Sequence, residues 1–345
     1  MAVHAADLSI DSIKDPLPDM LSWHGVTLYG TIDVGYAYQT NGTPLGKKVS
    51  GLEFTPNSTT KNLTGKSIST IDHSNLGQSN IGLKIEESLG DGWKAIGKLE
   101  TGFDPLYGEF SDGCRSFVEN AGVPYAKQTS NGDTGRCGQS FNSVAYAGVS
   151  NTSYGTLTFG RQYSFQQENV RNYDPFALSY AFSLFGYSGT ASGSGSTQAS
   201  AWDNSVKYVY QYGPLRAGAM FSNGGDGTGM FGEGYGFNVG GSYQGFALDA
   251  VYNVEHGAVN LSSSINDTPG FPLAASISDN EAWTVVGKYT YEFDGGLKDG
   301  ETGPKLTFYG GYTHINVSNP DNVILSGTTN GGYAIGNGKG GGTRQ

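Results

Sequence analysis

From Val26 to Tyr38, VTLYGTIDVGYAY, side chains alternate with period two. Val26, Leu28, Ile32, Val34, Tyr36 and Tyr38 share one face; Thr27, Tyr29, Thr31, Asp33 and Ala37 share the other. This predicts a strand with one greasy and one wet side. The pattern recurs along the chain. Ile81, Leu83 and Ile85 oppose Gly82, Lys84 and Glu86, and after a turn at 88–92, Trp93, Ala95, Leu99 and Phe103 oppose Lys94, Lys98 and Glu100. Further hairpins are predicted at 143–149 with 156–163, 205–212 with 215–221, 235–243 with 246–254, and 283–293 with 306–312. Within the 205–221 pair, Val206, Tyr208, Tyr210 and Tyr212 oppose Lys207 and Gln211, while Leu215, Ala217, Ala219 and Phe221 oppose Arg216.

These segments make about eleven strands, near the roughly 9 to 11 residues that a tilted membrane strand needs. Turns are short at one end. At the other end lie long polar stretches at 39–76, 104–141, 165–202 and 318–345. Short turns, long loops and aromatic residues gathered at strand ends predict an all-β fold, a transmembrane antiparallel β-barrel. An odd strand number leaves an open edge, which lipid does not tolerate. The chain is therefore read as 1–25, an N-terminal lead-in; 26–317, strands and loops of an incomplete barrel; and 318–345, an external loop at a truncated end. On that reading the chain alone lacks the strands that would close a working pore.

Composition agrees. No run of 18 apolar residues offers a helical span, so any crossing is by strands. Of 345 residues 55 are Gly and 22 are Tyr, and hydrophobic content is only 37%, as suits a wall that is apolar outside and watery inside. A net charge of −11 has the wrong sign for a general nucleic-acid binder. The opening MAVHAA is either the remnant of a signal-peptidase site just before Ala6 or a start unrelated to export. Cys114 and Cys137 share one Gly/Asp/Ser-rich stretch, and pair in an oxidising compartment or stand as two thiols.

VTLYGTIDVGYAY, SNIGLKIEESLGDGWKAIGKLETGF, YGTLTFGRQYS, YDPFALSYAFSLFGYSG and DNSVKYVYQYGPLRAGAMFSNG together resemble the Gram-negative general porins of proteobacteria. The resemblance covers Val26 to about Val317. It implies a homotrimer of sixteen-stranded barrels in the cell outer membrane, each a water-filled pore for passive diffusion of small hydrophilic solutes and ions. It also implies an external loop folded inward to narrow the channel, corresponding to 165–202. Such porins end on a strand with a terminal aromatic residue. This chain ends Gly-Thr-Arg-Gln345.

The candidate constriction sets Glu168, Asp174 and Arg171 of the inward segment against wall cations Lys84, Lys98, Arg161 and Lys207. Opposed charges across a narrow pore create a transverse field that acts on permeating ions. The plainer reading is that these are ordinary solvated lumen charges. Arg161 shares parity with Leu157 and Phe159, a lipid-facing position costing roughly 2 to 4 kcal/mol near midplane, unless a bulge at Gly160 swings it inward. From there it would look across the pore toward Glu168 and Asp174. The five histidines lack metal-ligand spacing, and no nucleophile-base constellation stands out. The expectation is accordingly no enzyme, no cofactor, no metal and no nucleic-acid partner. The alternative function is a barrel acting mainly in adhesion or binding through its external loops.

Overall fold

The computed structural model describes residues 22–39, 67–73, 76–106, 108–110, 140–176, 200–224, 233–262, 274–293, 303–318, 329–330 and 333–334. In chain order the strands are β1 (Ser22–Trp23), β2 (Val26–Thr31), β3 (Val34–Gln39), β4 (Ile68–His73), β5 (Asn80–Gly90), β6 (Trp93–Asp104), β7 (Glu109–Phe110), β8 (Val144–Asn151) and β9 (Gly155–Tyr163). A helix follows, α1 (Phe165–Tyr173), and then β10 (Ala201–Tyr212), β11 (Leu215–Asn223), β12 (Glu233–Tyr243), β13 (Phe246–Ser262), β14 (Ala274–Glu292), β15 (Lys305–Ser318), β16 (Thr329–Asn330) and β17 (Tyr333–Ala334).

One antiparallel sheet dominates, with neighbours in the order β1-β2-β5-β6-β8-β9-β10-β11-β12-β13-β14-β15 and β7 beside β6. Its long strands are the predicted set. Among the described residues β1 and β15 are the two ends of the path. Helix α1 lies against β12, β13 and β14, and the face carrying it is called inner below.

Alternation sorts the side chains as the sequence predicts. On the outer face Leu215, Phe221, Tyr235, Phe237, Val239, Phe246, Leu248, Trp283, Val285, Phe308 and Tyr312 are exposed, while Met220, Ser222, Asn238, Asp249, Val251, Ala282 and Thr284 are buried on the inner face. Aromatic residues form two outer rows. One lies by the short turns, with Trp93 stacked on Tyr154, Phe246 on Tyr289 and Tyr291 against Phe293; the other includes Tyr235 with Tyr252 and Trp283 with Tyr312. Trp283 and Tyr291 lie eight positions apart on β14, about 27 Å along a strand and about 21 Å along the normal at a tilt of ~40°, close to the height of a barrel's apolar band.

Several segments differ from the sequence reading. The stretch 26–38 is two strands, because Asp33 leaves the ladder: its carboxylate accepts from the amides of Leu76 (2.6 Å) and Gly77 (2.8 Å), and its own N–H donates to Ser79 Oγ (3.0 Å). Beyond that break β3 pairs with β4, inside a stretch read as loop. Strands β13 and β14 run past the predicted ends at 254 and 283, paired from Glu255–Asn280 through Ser262–Ala274 with one register shift. The inward segment begins as a helix. Ser164 caps it, its hydroxyl accepting from Gln167 N at 3.2 Å, so Ser164-Phe-Gln-Gln167 matches a capping-box spacing that the strand pattern obscured. Between 318 and 345, read as loop, β16 and β17 form a two-residue ladder.

Candidate pore constriction

Helix α1 is seated on the inner face from both ends. At its start, Phe165, Trp202, Met220 and Val251 form a buried cluster. Gly218 makes room for the Phe165 ring, since a Cβ there would fall 2.6 Å from Cζ. Burying such a ring contributes about 1.5 to 3 kcal/mol. In the same first turn, Gln166 Nε2 donates to Thr284 Oγ1 at 2.7 Å. At its end Tyr173 Oη donates to Asp249, and Lys288 Nζ donates to the Asn172 carbonyl at 3.3 Å.

Charged groups surround this helix. Lys207 Nζ pairs with Glu168 Oε1 at 2.6 Å, donates to the Tyr163 carbonyl at 3.0 Å and stands 4.7 Å from the Phe165 ring centroid. Lys98 pairs with Glu100 at 3.1 Å; the buried Glu100 carboxylate also accepts from Tyr29 (2.8 Å) and Tyr163 (3.2 Å). Arg171 lies over the Tyr163 ring at 5.0 Å. Asp174 is buried at the helix end: its N–H donates to the Val170 carbonyl and its carboxylate accepts from Phe176 N at 3.0 Å. Lys84 sits apart on β5, 3.3 Å from Glu86 and exposed.

The bulge expected beside Arg161 exists, but the extra residue is on the neighbouring strand. Gly160 pairs with Ser205 and Gln162 with Trp202, so Asp203 and Asn204 of β10 together face Arg161 of β9. Gly160 adopts φ +124° and Asn204 φ +47° to allow it. The Arg161 guanidinium donates to the Asn142 carbonyl (Nε 2.8 Å) and to Asp203 Oδ1 (2.7 Å), and its side chain is 11% exposed. Those partners belong to the wall; the cation paired with Glu168 is Lys207.

Lys98, Lys207, Glu168 and Arg171 are thus gathered about one helix and its flanking strands. Lys84 is not. Cys114 and Cys137 lie outside the described residues. Sequence reasoning left Arg216, Asp249, Tyr173 and Lys288 out of the site. Parity was the available signal, since Arg216, Asp249 and Lys288 all occupy inner-face positions. Which of them meets α1 is a long-range fact.

A model of the Gram-negative porin family matches residues 2–343. The chain belongs to that family. An outer membrane porin protein of Bordetella pertussis is 28% identical over 190 residues, 53% of this chain and 38% of that relative. The chain therefore matches less than half the length of that curated relative. Among solved structures, an anion-selective porin from Comamonas acidovorans superposes with a TM-score of 0.51 at 16% identity, covering 85% of this chain and 68% of that one. That likeness establishes the fold, an antiparallel outer-membrane β-barrel. Family membership places this porin chain in the outer membrane.

Proposed function

We propose that the chain forms the wall of a passive, water-filled channel for small hydrophilic solutes and ions, with its narrow part at α1. The observation that carries this is the helix itself, laid on the inner face with an exposed acid on it and cations on the wall. In the Arg216–Asp249 pair the cation is 35% exposed and the acid 0%; in Lys98–Glu100 the values are 23% and 1%; in Lys207–Glu168 the order is reversed, 7% and 41%. Water therefore meets cations on the wall and Glu168 on the helix. Charges so opposed act on ions where bulk screening is weakest. Residues 26–317 supply the barrel, as a channel rather than an enzyme.

The working unit is a homotrimer, and the outer surface suggests where copies meet. From β10 to β15 that surface is rich in exposed aromatic residues, whereas across β5, β6, β8 and β9 a groove of about 530 Å³ is lined by Ile85, Ala95, Leu99, Ala147 and Phe159. Small and aliphatic side chains there allow two walls to approach closely, while the aromatic sector suits lipid. The test is planar-bilayer recording of the full-length protein with its barrel closed. Stepwise, ohmic openings are expected in the wild type, and Ala147→Arg should yield monomers in detergent. Absence of conductance from correctly folded protein overturns the channel reading.

A further inference from the structure

The Asp249 carboxylate is wholly shielded from solvent on β13 yet collects donors from three other elements. Arg216 of β11 donates through Nε at 2.9 Å and through a second guanidinium nitrogen, Asn238 Nδ2 of β12 donates at 3.1 Å, and the Tyr173 hydroxyl donates from the last turn of α1. The wall is shaped to admit this carboxylate. Gly240 lies directly beneath it, and a Cβ at that position would stand 2.0 Å from Asp249 Oδ1. Arg216 keeps about a third of its side chain exposed, so one end of the pair is fixed in the wall while the other faces water.

We infer that Asp249 is a positioning residue that sets both the calibre and the charge of the constriction although no solute reaches it. This rests on the channel reading above and deepens it. Calibre is set through Tyr173: the hydroxyl-carboxylate bond holds the C-terminal turn of α1 against β13. Charge is set through Arg216, whose guanidinium is both oriented and half neutralised by the buried carboxylate. The two roles separate chemically. Asp249→Asn keeps an oxygen that accepts a hydrogen bond from Tyr173 but no longer offsets Arg216. Tyr173→Phe removes this tether from the helix end, leaving the Lys288–Asn172 bond, and leaves the ion pair intact.

The test is single-channel recording of the full-length protein in planar bilayers, in symmetric salt for conductance and in a salt gradient for reversal potential. Folding of each variant is verified by its heat-modifiable gel mobility. In water-like dielectric, a unit charge at about 6 Å changes an ion's local concentration about threefold before screening. Asp249→Asn should therefore raise the anion-over-cation permeability ratio about threefold or more, with conductance near wild type. Tyr173→Phe should raise conductance and opening noise and leave the permeability ratio unchanged. Should Asp249→Asn fail to fold, Arg216→Gln carries the charge arm and must shift the ratio the opposite way. Folded variants in which Tyr173→Phe leaves conductance unchanged, or the charge arm leaves reversal potential unchanged, overturn the inference while wild-type channels persist. Loss of conductance in the wild type itself would instead count against the channel.

Discussion

Replacing Gly160 by alanine tests the point where wall geometry departs from simple alternation. Gly160 holds φ +124°, a conformation that an L side chain rarely adopts, and its added Cβ would lie 2.3 Å from the Ala145 carbonyl oxygen and 3.1 Å from Tyr146 Cα. The strained backbone costs about 1 to 3 kcal/mol. The collision is with backbone rather than a movable side-chain tip, so β8 and β9 must part by several tenths of an ångström along the Ala145–Arg161 and Tyr146–Gly160 pairs. Together these should destabilise the barrel by about 3 to 5 kcal/mol, at the upper end for a single substitution. Urea unfolding of the lipid-embedded chain, followed by loss of the fast-migrating folded band on unheated gels, measures it. Gly310→Ala is the control, because a Cβ there meets nothing within 4 Å, and it should change stability by no more than about 0.5 kcal/mol. Equal unfolding midpoints for the two variants would refute the assignment of strain and close packing to Gly160.

Three further outcomes are expected. Arg161→Gln strips Asp203 and the Asn142 carbonyl of a partly buried partner and should lower stability by about 3 kcal/mol; a large change in reversal potential with unchanged stability would return Arg161 to the permeation path. Single cysteines from Val206 to Tyr212 should alternate between lipid-soluble and water-soluble labels, and uniform water labelling at Val206, Tyr208 and Tyr210 would contradict the outer-face assignment. Cys114 and Cys137, with 22 residues between them, should be found as a disulfide contributing roughly 3 kcal/mol in the chain-entropy model. Intact mass after alkylation without reduction decides that, and two alkylated thiols in exported protein would refute it.

What the sequence by itself determined is the wall. A strand in a two-sided environment writes its burial into every second residue, so the eleven long strands, their short turns and their apolar faces follow from local pattern alone. Tyr208 and Phe237 outside, with Lys207 and Asn238 inside, needed no partner to be assigned. The glycine at 160 likewise marked a break in that pattern. Tertiary structure decided what the inner face does with its polar groups. A lumen-facing lysine, arginine or aspartate satisfies the same alternation wherever its partner stands, so nothing local distinguishes Asp249, saturated by Arg216, Asn238 and Tyr173, from Lys84, exposed near a turn. The break at Asp33 was equally hidden, because the amides of Leu76 and Gly77 that its carboxylate captures are more than forty residues away. Helix α1 had its cap in the sequence. Its seat, from Gly218 on β11 to Lys288 on β14, exists only once four strands have been laid side by side.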